Sequence, residues 1–509
     1  MQAKNRAFYQ FTKKTTLAII LLVALVIRLL GITTRPIWYD EAFAVLFSEK
    51  GIAAMLAGTL SPNVQGIAAD IHPLAYYTLL YEWMKIFGES LASVRILSIL
   101  LGMGTVLLTY YLMRAMFKET RLAFLGALGV ALSPFQVHYS QEIRMYALLA
   151  LALTGATVAF WQGLHTNRRF WWVLFAVCAA LAQYTQNLAA FYLVPLAMTP
   201  IFMRRWDKVK LTILAGAGAL LLYLPWLVQI PAQFAKIQAA YWVARPTITS
   251  LFTTMLAYVT NLPVDGHWLP SALAVTVLVI ALAAYQTWLA FRRKLPGAGK
   301  GLWLAYLAFA PAVLMFILSQ WQPVYIERGL LPSGVMFWLW LAWVLMATGL
   351  PHFLRILNFL LLIIVISFGL ATHLTYAGFP YGPYQSLDAS LEARFQPGDV
   401  IIHSNKLSML PALYFDRSLK QSFIADPAGG STDTLAPATQ QVLGIQASPS
   451  LETAVGNANR IWFIIFKQSI DEATQAGLAT HPQITWLNEH FRLISMETWG
   501  PLLVYVYTH

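Results

Sequence analysis

The stretch Thr16-Leu17-Ala18-Ile19-Ile20-Leu21-Leu22-Val23-Ala24-Leu25-Val26-Ile27-Arg28-Leu29-Leu30-Gly31-Ile32-Thr33 leads, after Thr34, into Arg35-Pro36-Ile37-Trp38-Tyr39-Asp40-Glu41. An apolar run of about 18 residues with a single charge is long enough to cross a bilayer. It lacks a small-residue cleavage site, so it reads as a retained first helix instead of a signal peptide. The rest of the chain agrees. Hydrophobic residues make up 58% of it and charged residues 11%, with a mean hydropathy of +0.60, whereas soluble domains carry about 25% charged residues. The class is a polytopic membrane protein. Asp40 and Glu41 then emerge just beyond the membrane, beside Trp38 and Tyr39 as interfacial anchors. An adjacent acidic pair there has two readings. It is an ordinary solvated loop, or it is a general base or metal ligand for a substrate whose reactive group lies at the lipid headgroups.

The net charge of +12 does not point to nucleic acid, because its distribution follows topology. Residues 1–375 carry 27 Lys and Arg against 11 Asp and Glu, and residues 376–509 carry 7 against 11. Lys4, Arg6, Lys13 and Lys14 precede the first span, which places the N-terminus in the cytoplasm by the positive-inside rule. Further spans are expected at about 93–114, 121–137, 143–163, 170–186, 188–203, 209–230, 269–291, 302–319, 330–350 and 353–373, making about 11 transmembrane helices. With the N-terminal four, the alternate connections put 18 of the 27 basic residues on the cytoplasmic side. Nine of the first 11 acidic residues fall on the other side. Acidic residues hardly influence topology, so this asymmetry points to an external active site. The single cysteine, Cys178, lies in an apolar run and reads as packing.

Two long external loops are expected, 34–92 and 231–268. In the first, Pro73 opens a helix of about 14 residues reaching Phe87, aromatic-rich and carrying Glu82 and Lys85, which belongs in the interface and not across the membrane. The second contains Lys236, Tyr241, Trp242, Arg245, Asp265 and His267. From Tyr376 onward the composition turns to Pro, Gly, Ser, Asp and Gln. Strand-like runs at Asp399-Val400-Ile401-Ile402, Ala412-Leu413-Tyr414-Phe415, 460–466 and 501–507 alternate with helical stretches such as 482–489. Residues 376–509 therefore read as a small extracytoplasmic α/β domain behind a transmembrane domain at 1–375. Gly429-Gly430-Ser431 follows no strand and opens no helix, so it is not a phosphate loop.

Three further groups on the outer face bear on chemistry. Asp70-Ile71-His72-Pro73 offers a carboxylate and an imidazole as two metal ligands or a base with its orienter; alternatively Asp70 caps the helix that Pro73 begins. In His138-Tyr139-Ser140-Gln141-Glu142-Ile143-Arg144-Met145-Tyr146, Ser140 is a candidate N-cap, with Glu142 in the first turn and sharing a helix face with Tyr146. Arg144 at the positive end of that helix invites a phosphate, or pairs structurally with Glu142 or Asp40. Pro323-Val324-Tyr325-Ile326-Glu327-Arg328 opens the tenth span, and Arg328 is a bidentate phosphate donor or a headgroup anchor. Carboxylates that activate an acceptor, and arginines that hold an anionic leaving group, suit a lipid-phosphate sugar donor.

The residues also resemble a family. Trp38-Tyr39-Asp40-Glu41-Ala42, Asp70-Ile71-His72-Pro73 with Tyr76-Tyr77, and Ser133-Pro134-Phe135 with Tyr139 to Ala147 are similar to the bacterial glycosyltransferase family 39 membrane proteins. These are akin to protein O-mannosyltransferases and lipid A aminoarabinose transferases, all of GT-C fold. The resemblance covers about residues 15–230 and weakens to about 375. It implies that Asp40, with Glu41 beside it, is the catalytic base. It further implies that the Asp70/His72 and Glu142/Arg144 segments line the same cavity and that the donor is a polyprenyl-phosphate sugar. Together with the residue readings above, Asp70, His72, Tyr76, Glu142, Arg144, Tyr146, Tyr325 and Arg328 are expected to serve donor or substrate. The acceptor is a lipid, glycan or protein. Metal use varies among GT-C enzymes, so Asp40, Asp70, His72 and Glu142 form a candidate divalent-cation site. Where many relatives have Tyr-Thr-His-Tyr, this chain has Tyr184-Thr185-Gln186-Asn187, which puts a histidine contribution there in doubt. The expected setting is the bacterial inner membrane, with membrane lipids as partners and no nucleic acid. Two rivals remain: a transporter or flippase of lipid-linked sugars, which calls for charges near the bilayer midplane, and a non-catalytic surface-polymer assembly protein.

Overall fold

The computed structural model describes residues 2–61, 72–166, 168–239, 243–347, 351–426 and 435–509, with side chains from Lys14 onward. The chain forms two compact units: residues 1–32, 91–228 and 243–375 make one, and residues 33–90, 229–242 and 376–509 the other.

The first unit is helical. In chain order it opens with α1 (Gln2–Leu29), and the second unit then contributes α2 (Tyr39–Ser48), α3 (Ile52–Leu60) and α4 (Ala75–Phe87). The chain returns to the first unit through α5 (Leu91–Phe117), α6 (Thr120–Leu132), α7 (Pro134–Gln141) and α8 (Tyr146–His165). Among the described residues, seven helices are long and apolar enough to cross a membrane, or eight when α6 and α7, bent by 56°, count as one broken span. The protein is thus a multi-pass membrane protein. Two further expected spans, 170–186 and 188–203, coincide with the shorter apolar helices Arg169–Thr185 and Asn187–Phe202. The helix Leu331–Met346 lies at the centre, with Leu331 to Val344 all buried. A side chain at Gly301 would overlap the Trp343 ring, so glycine there lets the neighbouring helix approach. The peripheral helices instead expose Ile213, Leu221, Phe353 and Ile364, the surface that lipid would cover.

The second unit is built on a six-stranded sheet of order β3-β2-β1-β4-β6-β5, with β1 Asp399–His403, β2 Gln421–Ile424, β3 Ala447–Ser448, β4 Arg460–Phe466, β5 Arg492–Trp499 and β6 Leu502–Thr508. The first four strands are parallel, with Ile401 opposite Trp462, and β6 joins antiparallel to β4 and β5. Strands that pack on both faces need apolar residues on both. Accordingly β4 is buried from Ile461 to Phe466, and separate clusters around Trp462, Ile464 and Val504 and around Ile461, Phe463 and Tyr507 cover the two faces. Gly500, at φ 57°, turns the β5–β6 hairpin. Three of the four expected strand runs are strands, and the helix expected at 482–489 is present at Pro482–His490. Ala412 to Phe415 instead end a helix, Lys406–Phe415. Asn405 Oδ1 accepts the Leu407 amide at 3.0 Å and starts that helix; a four-residue apolar run alone cannot distinguish the two states. The expected loop 231–268 is largely helical, with helices at Ile230–Ala239 and Ile248–Thr260. Its Lys236, Tyr241 and Trp242 side chains and the Gly429-Gly430-Ser431 stretch lie outside the described residues. Asp265 and His267 form an exposed pair at 3.3 Å.

Candidate active site

In the second unit Asp40 and Glu41 occupy the first turn of α2, not a loop. Trp38, in extended conformation, is the N-cap, and carboxylates in a first turn complement the helix dipole. Asp40 is 8% exposed and Glu41 0%, which removes the solvated-loop reading. Every residue of α2 after Tyr39 is buried, covered by α4 and by the Lys406–Phe415 helix. From α4, Tyr77 meets Phe43 and Phe47 edge-on at 6.2 and 5.5 Å. Tyr76 is buried beside it, and His72 is half-buried ahead of the helix. The helix begins at Ala75 and runs 13 residues, with Leu74 as its N-cap, so Pro73 precedes it instead of filling its first turn. Asp70 lies outside the described residues. Arg35 donates to the Tyr381 hydroxyl and lies over its ring, 5.0 Å from the centroid, and Trp38 packs on the same ring at 6.3 Å. The Lys406 ammonium lies 5.2 Å from the centre of the Tyr39 ring.

In the first unit the segment around Arg144 differs from expectation. Ser133, not Ser140, is the cap: its hydroxyl accepts the Gln136 amide, and Pro134 fills the first position of α7. Ser140 sits within α7 and donates to the Gln136 carbonyl. Glu142 is the extended residue after α7, at φ −84° and ψ 137°, and α8 begins only at Tyr146. Glu142 and Tyr146 therefore do not share a helix face. The chain turns tightly between them, the Arg144 amide donating to the Glu142 carbonyl at 2.8 Å. Glu142 and Arg144 are 1% and 3% exposed. The Arg328 guanidinium stands 5.4 Å from the centre of the Tyr146 ring, and Tyr139 meets that ring edge-on at 5.3 Å. Tyr325 is buried, with its hydroxyl 2.6 Å from that of Thr254. Burial holds its phenol well above the ordinary range, so it stays neutral. Arg144, Tyr146 and Arg328 thus come from two stretches far apart in sequence.

Behind this segment lies a network that the motifs did not indicate. Gln141 Nε2 donates to the Arg28 and Leu30 carbonyls at 2.8 and 2.7 Å, and its Oε1 faces His373 Nε2 at 2.6 Å. His373 Nδ1 in turn lies 3.1 Å from His138 Nδ1. Arg28, in the last turn of α1, donates to the Ala24 and Ala131 carbonyls. The available signal was His373 itself, a histidine within the final apolar span. At the position of the relatives' histidine motif, Asn187 accepts from the Tyr223 hydroxyl at 2.6 Å. Among the described residues, no three His, Cys, Asp or Glu side chains converge as a metal would require.

Residues 71–228 match the family described as dolichyl-phosphate-mannose-protein mannosyltransferase. An undecaprenyl phosphate-α-4-amino-4-deoxy-L-arabinose arabinosyl transferase of Pseudomonas aeruginosa is 26% identical over 350 residues, 64% of this chain and 59% of that protein. The chain thus matches about three-fifths of that relative's length. ArnT from Cupriavidus metallidurans, solved bound to undecaprenyl phosphate, superposes with a TM-score of 0.60 at 11% identity, covering 96% of this chain and 97% of that one. The oligosaccharyltransferase AglB from Archaeoglobus fulgidus superposes with a TM-score of 0.50 at 12% identity, covering 98% and 74%. The chain is a multi-pass membrane protein of the GT-C fold, a relative of the arabinosyl transferases and, over residues 71–228, of the dolichyl-phosphate-mannose-protein mannosyltransferases.

Proposed function

We propose that this chain is an inverting glycosyltransferase that moves a sugar from a polyprenyl-phosphate donor to a lipid, glycan or protein acceptor at the outer face of the bacterial inner membrane. Its N-terminus is then cytoplasmic and residues 376–509 extracytoplasmic. One observation carries the reading. The matching family and relatives are named for a polyprenyl-type phosphate donor, and the matched segment contains the buried Glu142 and Arg144 turn.

In this reading Asp40 takes the proton from the acceptor hydroxyl as its oxygen attacks the anomeric carbon. The bond from that carbon to the phosphate oxygen breaks, and the polyprenyl phosphate leaves with the electron pair. Arg144 and Arg328 stabilise the charge that develops on it. Glu142 and His72 shape the cavity, and Tyr76, Tyr146 and Tyr325 serve donor or substrate.

The test is incubation of the purified protein in lipid with a panel of radiolabelled polyprenyl-phosphate sugars, scoring loss of label from the lipid. The wild-type chain is expected to release label from one donor, and Asp40→Asn to slow release about 10²-fold or more while the protein stays folded. Undiminished release by Asp40→Asn removes Asp40 from the mechanism, and no release from any donor removes the activity.

A further inference from the structure

Parallel α/β sheets bind ligands at the point where strand order reverses, outside the carboxyl ends of the strands. Here that point lies between β1 and β4, since the chain proceeds from β1 to β2 on one side and β4 flanks β1 on the other. The residues leaving β1 there are Ser404, Asn405 and Lys406. The Ser404 amide donates to the Ile464 carbonyl of β4 at 2.8 Å, which keeps the segment at the reversal point. The Ser404 hydroxyl is buried without a hydrogen-bond partner. Asn405 caps the Lys406–Phe415 helix, and that helix packs on α2.

Lys406 is 4% exposed and, among the described residues of this unit, is the one buried lysine or arginine. Its ammonium lies over the ring of Tyr39, the residue preceding Asp40. A carboxylate in the interior is costly unless a cation or strong donors compensate it. Two buried carboxylates begin α2, and a buried ammonium begins the helix laid against it.

We propose that Lys406 is a positioning residue for Asp40: its ammonium holds the carboxylate ionised and oriented toward the acceptor, so that the reversal-point loop of the sheet completes the catalytic helix. This rests on the reading of Asp40 as the base.

Lys406→Met keeps the volume of the side chain and removes its charge, whereas Lys406→Arg keeps the charge. In the donor-release assay, Lys406→Met is expected to lower kcat about 10- to 100-fold with donor KM within about twofold of wild type, and Lys406→Arg to recover most of the loss. A role in packing alone predicts the reverse order. Thermal unfolding supplies a readout independent of activity. Adding Asp40→Asn to Lys406→Met is expected to raise the midpoint by about 2–4 °C over Lys406→Met alone, because the uncompensated charge is gone. A kcat for Lys406→Met within about threefold of wild type, additive midpoints, or a recovery given by Glu41→Gln instead of Asp40→Asn each overturns the assignment. If Asp40→Asn abolishes release while Lys406→Met releases normally, only this inference falls; if Asp40→Asn releases normally, the functional reading falls first.

Discussion

His138 Nδ1 and His373 Nδ1 face each other at 3.1 Å inside the membrane unit, and the neighbouring amide fixes their tautomers. Gln141 uses its nitrogen on two backbone carbonyls, which turns Oε1 toward His373 Nε2. A carbonyl oxygen only accepts, so Nε2 carries the proton. Neutral His373 then accepts at Nδ1 from the Nδ1–H of His138. The chain of bonds ties the final span to the α7–α8 segment that holds Arg144. His373→Phe is expected to cost about 1–3 kcal/mol of stability, seen as a lower thermal midpoint of the purified protein. An unchanged midpoint would dismiss the tie.

Arg328 over the ring of Tyr146 sets a second expectation. A cation stacked on an aromatic face is worth about 0.5–2 kcal/mol, and the guanidinium offers a planar fork that an ammonium lacks. Arg328→Ala is expected to raise donor KM about 10-fold and Arg328→Lys to recover only part of it, with Tyr146→Leu intermediate. Steady-state kinetics on the labelled donor decide this, and an unaltered KM in Arg328→Ala removes Arg328 from the phosphate.

Asp40 and Glu41 are adjacent yet stand about 100° apart around α2. Glu41 is the more buried of the two. Glu41→Gln is expected to keep kcat within about 10-fold of wild type, against about 10²-fold or more lost in Asp40→Asn. The opposite order would exchange their roles.

The α/β unit carries two pH-sensitive groups of opposite sense. Burial, helped by the nearby Asp416, pushes the Asp388 carboxyl up to about 8, and neither of its oxygens has a hydrogen-bond partner. An acid raised in the folded state adds stability that is full below its unfolded value of about 3.9 and is lost as pH rises toward 8. Burial pushes His403 down to about 4, opposed by its bond to Gln421. Its contribution is full above its unfolded value of about 6.5 and is lost as pH falls toward 4. Asp388→Asn is expected to raise the thermal midpoint at pH 8 by about 2–4 °C relative to wild type and to leave it nearly unchanged at pH 4. Equal shifts at both pH values would show that Asp388 is ionised throughout.

Arg417 reaches Glu49 at 2.6 Å and Glu89 at 3.1 Å, joining the Asp416 turn to the first loop. The guanidinium is 42% exposed, and exposed ion pairs are worth about 0–1 kcal/mol. Arg417→Ala is accordingly expected to move the midpoint by about 2 °C or less, and less still in 1 M salt. A larger loss would mean that the ion pairs are better shielded than their exposure indicates.

Membrane class, the helical character of residues 1–375, and the α/β character of residues 376–509 with three of its six strands were legible along the chain. Each depends on local composition and period: apolar runs of bilayer length, and short β-branched runs bounded by turns. The acidic pair at Asp40-Glu41 and the arginines at 144 and 328 stood out for the same reason, as charges abutting apolar spans.

What the linear order could not supply was which side chains share a burial site. Ser133 and Pro134 start α7 early enough to move Glu142 out of the following helix, and that follows from where the chain bends, not from spacing. Lys406, some 365 residues beyond Asp40, reaches α2 because the strand order of the sheet lays its first crossover helix there. His373 reaches His138 because the last span packs against α7. The sequence by itself determined the elements, since hydrogen bonding and hydropathy act over a turn or two. Only tertiary structure decided which charges are buried together, because desolvation and pairing act between groups that chain order leaves far apart.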